Sequence, residues 1–215
     1  MATTTRPYRG VSAEQRLADR RERLLEAGLD LLGSEGWGAT TVRGVCARAG
    51  LTERYFYESF KDREALLLTV YDRIVGEAAE VVLRAVADAP HDAREKSKAA
   101  LSAFVDLMTA DPRKGRVAFI EAMGSEALMA RRLETLRAFG QLIAQQAREF
   151  YGPSAVTAAD AELTAQLLVG GVAETLITWL DGQLDVSRER LVEHSAELFV
   201  AAAGVSSEPG RASAP

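Results

Sequence analysis

The sequence has very little cysteine and histidine. Its 215 residues include one cysteine, Cys46, and two histidines, His91 and His194, which lie about a hundred residues apart. A single cysteine excludes an internal disulfide framework and fits a reducing cytoplasm, where we expect the protein to reside. So few ligands also argue against a zinc site. We interpret Cys46 as a small core residue, with a redox sensor as the alternative.

Long apolar runs are missing as well. The longest, "LLVGGVA" at 167–173, is far shorter than the roughly 20 residues of a membrane span. No apolar stretch follows the arginines of the first ten residues, so these residues do not form a secretory signal. No segment reads as a strand, and amphipathic helical patterns recur instead. The sequence therefore predicts an all-α protein with no membrane association.

Signatures of catalysis are absent too. The chain contains no G-x-S-x-G nucleophile elbow, no phosphate loop and no H-E-x-x-H motif. If the protein were an α-helical enzyme or a small-molecule carrier, its functional residues would belong to no recognisable motif. We therefore predict that the protein is not an enzyme, and we expect no cofactor and no metal.

Caps and breakers divide the apolar periodicity into about nine helices. Ser12, with Gln15 three residues later, begins the first helix, and "GSEGWG" at 33–38 ends it. Thr40 is the predicted cap of the second helix and Thr52 of the third. The predicted helices cover about 12–32, 41–49, 52–60, a long run from 62, 91–110, a segment from 111, 125–150, 158–181 and 187–203.

The most unusual stretch is "GLTERYFYESFKDREALL" at 50–67, which is rich in aromatic residues. Two short helices joined at Gly50 fit a helix-turn-helix, whose second helix enters the major groove of DNA. Phe56 and Phe60 are four residues apart and should both face inward. Tyr55 and Tyr57 then face outward, where their hydroxyls can reach phosphates or base edges. The alternative for both tyrosines is packing against the first or fourth helix.

Other polar residues of this region are candidate contacts to DNA. Lys61 can meet a phosphate, as can Arg43 and the hydroxyls of Thr40 and Thr41 at the start of the second helix. Arg54 is the candidate for a bidentate contact with guanine.

Charge is distributed unevenly along the chain. The net charge is −5, yet the first 25 residues hold six arginines against three acids. Arg16, Arg20, Arg21 and Arg23 either steer the protein to DNA or form a solvated helix face. Glu53 repels phosphate unless it accepts a hydrogen bond from a cytosine amino group, and we count it, with Thr52, among the DNA-binding residues.

The block "ATTVRGVCARAGLTERYFYESFKDREALLLTVY" closely resembles the N-terminal domain of TetR-type transcriptional regulators. The shared features are a T-[ST]-V-R stretch at 40–43, a helix ending in A-G-[VL]-[ST] at 49–52, and a Y-x-x-F run at 57–60 followed by Lys61 and Asp62. The resemblance covers roughly residues 13–72, and the helical remainder carries no diagnostic motif.

This resemblance, together with the small, polar, glycine- and proline-containing end of the chain, sets the expected organisation. We expect a flexible arm at 1–11, a helix-turn-helix domain at 12–61, a helical ligand-binding and dimerisation domain at 62–204, and a disordered tail at 205–215. The implied protein is a homodimer that binds a palindromic operator on double-stranded DNA. A small, hydrophobic effector is expected to release it. The alternative is a helix-turn-helix module that binds another protein and no DNA.

Two further groups of residues follow from the resemblance. The predicted ligand pocket, whose members could equally be core, consists of Phe104, Met108, Phe119, Met123, Leu136, Phe139 and Trp179. The predicted dimer interface lies on the last two long helices, where Gly170 and Gly171 suggest a close approach. Its residues are Leu163, Leu167, Gly171, Glu174, Leu191, Ser195, Leu198 and Ala202.

Overall fold

The computed structural model describes residues 12–152 and 157–206. The described residues form nine α-helices and one 3-10 helix with no strand, so the predicted all-α class is confirmed. The proposed arm at 1–11 and most of the proposed tail lie outside the described residues. The helices are α1 Ala13–Glu35, α2 Val42–Ala49, α3 Glu53–Ser59, α4 Arg63–Asp88, α5 Ala93–Ala110, α6 Pro112–Phe119, the 3-10 helix Glu121–Met123, α7 Glu126–Tyr151, α8 Ala158–Leu180 and α9 Arg188–Ser206.

Local side-chain and glycine signals set most helix ends. The Ser12 hydroxyl accepts a hydrogen bond from the Gln15 amide at 3.0 Å, which satisfies a free donor in the first turn of α1. Gly36 has φ 86° and ends the same helix. The cap of α2 is Thr41, not Thr40, because Thr41 has extended backbone and accepts from the Gly44 amide at 3.0 Å.

By their contacts, the described residues form two compact units. The N-terminal unit comprises the chain up to Ile74 together with Pro112–Leu128, and the C-terminal unit comprises Val75–Asp111 together with the chain from Met129 onwards. The sequence did not predict that residues 112–128 belong to the N-terminal unit. The fully buried large side chains of the N-terminal unit are Leu24, Leu32, Val45, Phe56, Leu66, Leu67, Val70, Ile74, Val117 and Leu128.

The buried carboxylate of Glu121 links residues 112–128 to the end of α1. Glu121, only 9% exposed, accepts a hydrogen bond from the Trp37 amide at 2.8 Å and one from Arg116 Nε at 2.9 Å. Arg116 also donates to the Ser34 carbonyl at 3.1 Å, in the last turn of α1, where carbonyl groups lack helical partners. Gly124 packs against the Trp37 side chain, leaving no room there for a Cβ.

Helices α1 and α6 approach each other closely at Gly33. A Cβ on this residue would lie 2.5 Å from Cβ and 2.8 Å from Cα of Arg113. Because a backbone atom is involved, rotation of a flexible side chain cannot relieve the clash. Arg113 is further held by Glu26 at 2.9 Å and Asp30 at 3.5 Å.

We expect Gly33→Ala to destabilise the protein by about 1–2 kcal/mol, because overpacking costs more than alanine gains in helix propensity. Gly76→Ala in α4 is the matched control. A Cβ there meets nothing within 4 Å, so this change should stabilise by about 0.5–1 kcal/mol. Urea unfolding followed by circular dichroism measures both. Equal stabilisation by the two alanines would contradict the close α1–α6 approach.

In the C-terminal unit, α5 packs along α9, and polar contacts join the two helices. Arg188 of α9 contacts Asp106 Oδ1 at 2.5 Å and donates to the Ser102 hydroxyl at 2.6 Å. Lys98 meets Glu193 at 3.0 Å. Trp179, at the end of α8, donates its ring N–H to the Val186 carbonyl at 2.9 Å and closes the α8–α9 loop.

Helix α8 is apolar yet poorly covered. Among the described helices, it is the one long and apolar enough to cross a membrane by length and composition, and 17% of its most apolar window is buried. One such helix is weak evidence for a membrane span. Leu163 and Leu167 of this helix are 63% and 69% exposed.

Candidate nucleic-acid interface

The turn between α2 and α3 depends on a left-handed residue. Gly50 has φ 62° and ψ 40°, and its amide donates to the Ala47 carbonyl at 3.2 Å. Leu51 then donates to the Cys46 carbonyl at 2.9 Å. This is the glycine-ended, two-bond closure that stops one helix and redirects the chain into the next. With α1 packed on both helices, the three form a helix-turn-helix domain.

Arginines of α1 hold this turn and the helix that follows. Arg23 donates to the carbonyls of Ala49 and Gly50. The guanidinium carbon of Arg21 lies 4.8 Å from the centre of the Phe60 ring, within cation–π range. Arg21 and Arg23 therefore stabilise the domain, which is neither of the two roles predicted for this arginine run.

The inner side of α3 is aromatic, as predicted. Phe56 is fully buried and Phe60 is 5% exposed, with ring centres 5.8 Å apart. Cys46, 4% exposed, lies in the same core, which confirms the small-core interpretation. Burial, and secondarily the charge of Glu53, raises the pKa of the Cys46 thiol above its usual value, so the reactive thiolate is disfavoured.

The outer side of α3 is polar and accessible. Tyr57 is 57% exposed and packs edge-on against Phe56 at 5.3 Å, so its hydroxyl end is directed away from the core. The Arg54 side chain is 85% exposed. Glu53 and Lys61 are also exposed, as is Thr52, whose hydroxyl makes no capping hydrogen bond. This side of α3 is therefore accessible to a nucleic acid.

Tyr55 differs from Tyr57. It is half-buried, and the guanidinium carbon of Arg20 in α1 lies 4.2 Å from its ring centre. Tyr55 thus packs against α1, which is the alternative that the sequence left open. Arg20 also approaches Glu58 at 3.6 Å, and Glu58 contacts Arg54 at 3.2 Å. The sequence did not predict this ion-pair chain, because its α1–α3 link is not local.

At the start of α2, one predicted contact must be corrected. Thr40 is fully buried and donates its hydroxyl to the Gly36 carbonyl at 2.8 Å, so it cannot reach a phosphate. Its own carbonyl accepts from Arg63 at 2.9 Å. Thr41 and Arg43 are exposed and remain candidates.

The predicted pocket residues are divided between the two units. Met108 and Phe119 are buried, whereas Phe104, Leu136, Phe139 and Trp179 are half-buried; the Met123 side chain is not among those described. A cleft of about 410 Å³ does occur in the C-terminal unit. None of the seven predicted residues lines it; its lining is Gln141, Ala144, Gln145, Arg148, Glu149, Ala158 and Glu162.

Most of the predicted dimer residues are at the surface. Leu163, Leu167 and Leu198 are 63%, 69% and 50% exposed. Gly171 and Glu174 are exposed too, and Ser195 and Ala202 are half-buried. Leu191 is 7% exposed, so it offers little surface to a partner subunit.

Comparison with known proteins agrees with this geometry. Residues 24–70 match the family described as "Bacterial regulatory proteins, tetR family". An uncharacterized HTH-type transcriptional regulator, YerO of Bacillus subtilis (strain 168), is 31% identical over 58 residues, which is 27% of this chain. That alignment spans only 20% of YerO, so the likeness does not extend to the whole of that protein.

Solved structures extend the likeness over most of the chain. The fatty acid degradation regulator FadR of Bacillus halodurans has a TM-score of 0.73 at 18% identity, covering 84% of this chain and 94% of its own. FadR of Bacillus subtilis, solved in complex with stearoyl-CoA, has a TM-score of 0.72 at 19% identity, covering 84% and 98%. At such identities the likeness concerns the fold. The tetR match at residues 24–70 shows that the helix-turn-helix domain is of the tetR family type.

Proposed function

We propose that this protein is a repressor that binds a palindromic operator as a homodimer and is released by a hydrophobic effector. The observation that carries the proposal is the division of α3 into two sides. Phe56 and Phe60 fix the helix to the domain, which leaves Arg54, Tyr57 and Lys61 on an accessible surface. Such a helix can enter the major groove as a preformed unit.

The exposed residues have distinct proposed roles. Arg54 reads a guanine, since its terminal nitrogens can pair with O6 and N7 together. Tyr57, Lys61, Thr41 and Arg43 contact phosphates and set the register of the helix on the duplex.

The apolar surface of α8 supports dimerisation. Leu163 and Leu167 are four residues apart on one helix face, and both are largely exposed. A second copy of the same surface would cover them in an isologous contact. Two recognition helices would then meet half-sites roughly 34–36 Å apart, one turn of DNA.

The effector is proposed to carry a long apolar chain. FadR of Bacillus subtilis, which shares the fold, was solved with stearoyl-CoA. We propose long-chain acyl-CoA thioesters as the first class to test. Titrating them into the protein–operator complex, with free coenzyme A as the control, should release DNA only when the acyl chain is present.

A second candidate function is a protein-interaction module without DNA binding. Glu53 favours it, because this exposed carboxylate lies in the first turn of the helix that would face phosphates. Selection of bound fragments from a random DNA pool separates the two functions. A repressor enriches a palindrome, whereas an interaction module enriches no sequence.

We expect Lys61→Ala to weaken binding to every DNA sequence by a similar factor. Each lost phosphate contact should lower the slope of log affinity against log salt by about 0.9, hence by about 2 for a homodimer. Fluorescence anisotropy on the selected operator at several salt concentrations measures this. Lys98→Ala removes the same charge from α5 and should leave the slope unchanged. An unchanged slope for Lys61→Ala would remove Lys61 from the phosphate contacts.

A further inference from the structure

Glu58 lies between two arginines at the outer side of α3. Its Oε1 accepts from Arg54 Nε at 3.2 Å, and its Oε2 approaches Arg20 of α1 at 3.6 Å. Arg20 in turn stacks on Tyr55 at 4.2 Å. One carboxylate thus contacts Arg54, the single arginine of α3, and Arg20, which joins this helix to α1.

We propose that Glu58 is a positioning residue that determines sequence specificity. It aims Arg54 at a base and keeps both arginines away from phosphates. This inference rests on the proposed DNA binding. It gives a role to Glu58, whose negative charge would otherwise only weaken binding to DNA.

The first argument concerns which nitrogen of Arg54 is occupied. A guanidinium has five N–H donors, one on Nε and four on the terminal nitrogens. Glu58 accepts from Nε, which leaves the terminal nitrogens for the pair of acceptors on guanine. The contact also restricts a side chain that is 85% exposed and would otherwise be free to rotate. Less conformational freedom then has to be lost when the base is bound.

The second argument concerns charge. An unrestrained arginine at a DNA surface binds phosphates whatever the sequence, because counterion release supplies most of non-specific affinity. Glu58 opposes this in two ways: it competes for Arg20 and Arg54, and it places a negative charge beside the duplex. A correct guanine is uncharged and loses less from that repulsion than a phosphate does. The carboxylate therefore lowers non-specific binding more than specific binding.

The test compares Glu58→Gln with the unaltered protein on the selected operator and on a scrambled duplex. We expect affinity for the scrambled duplex to rise about tenfold and affinity for the operator to rise less, so that the specificity ratio falls severalfold. The salt slope on the scrambled duplex should steepen by about 2–4, because one or two freed arginines in each subunit reach phosphates. Glu80→Gln, which breaks the exposed Arg84–Glu80 pair at the same i,i+4 spacing in α4, is the matched control and should change neither quantity.

Selection from random DNA locates the effect within the operator. Glu58→Gln should lose preference at the same base pair as Arg54→Ala. Arg54→Lys, which keeps the charge but has no guanidinium to pair with both guanine acceptors, should also lose that preference. If Glu58 itself reads a base, preference disappears at a different position and the inference is wrong.

Failure of this inference is distinguishable from failure of the proposed function. If the unaltered protein enriches no sequence, DNA binding itself is refuted. If it enriches an operator and Glu58→Gln behaves like Glu80→Gln, only the role of Glu58 is refuted.

Discussion

Replacing Phe56 with alanine is expected to destabilise the N-terminal unit by about 3–5 kcal/mol, which is a large part of a typical domain's stability. Phe56 is fully buried, with its ring 5.8 Å from Phe60 and 5.3 Å from Tyr57. A seven-residue helix has little stability of its own and depends on packing. Loss of this ring should therefore release α3 and abolish operator binding.

The single cysteine provides the measurement. Cys46 is 4% exposed in the core beneath α3, so an Ellman-type reagent should react with it only when the unit opens. We expect Phe56→Ala to raise its reaction rate at least a hundredfold. Tyr57→Ala removes the neighbouring ring, which is 57% exposed, and should leave the rate near that of the unaltered protein while weakening DNA binding. A protected thiol in Phe56→Ala would show that Phe56 does not anchor the helix.

Leu167→Lys is expected to dissociate the proposed homodimer. Burial of a leucine contributes about 1.5–3 kcal/mol, and two-fold symmetry makes each substitution count twice. The expected loss is about 3–6 kcal/mol, or at least a hundredfold in the dissociation constant. Two lysines brought together at the interface add repulsion.

Light scattering combined with size-exclusion chromatography across a concentration series measures the dissociation. Leu17→Lys is the matched control, since Leu17 of α1 is also an exposed leucine, at 41%, but lies in the DNA-binding unit. Should Leu167→Lys remain a dimer at low micromolar concentration, another surface must join the subunits. A folded monomer should also lose operator affinity, because it can occupy only one half-site.

The local features of the fold were predictable from sequence because local chemistry produces them. Ser12 caps α1 and Gly50 ends α2 through their own side-chain and backbone properties. The spacing of Phe56 and Phe60 predicted the buried side of α3. One local error shows the limit: Thr40 and Thr41 are equally good caps by residue type, and only the packing of Thr40 on Gly36 decides between them.

Contacts between distant segments left no comparable signal. Glu121 and Trp37 are 84 positions apart, and nothing near either residue predicts that the carboxylate accepts the amide. The Arg20–Glu58 pair was missed for the same reason. Glycines are the one sequence feature that marks such contacts. Gly33 and Gly124 each lie where another segment approaches too closely for a Cβ.

The return of residues 112–128 to the N-terminal unit affects how such regulators can be recombined. A graft that joins residues 1–74 to the body of another regulator would leave the Trp37 amide without its carboxylate and Gly33 without its neighbouring helix. A working chimera must therefore carry two separate pieces of this chain. Its three junctions, near 74–75, 111–112 and 128–129, would have to be matched to the donor body at the same time.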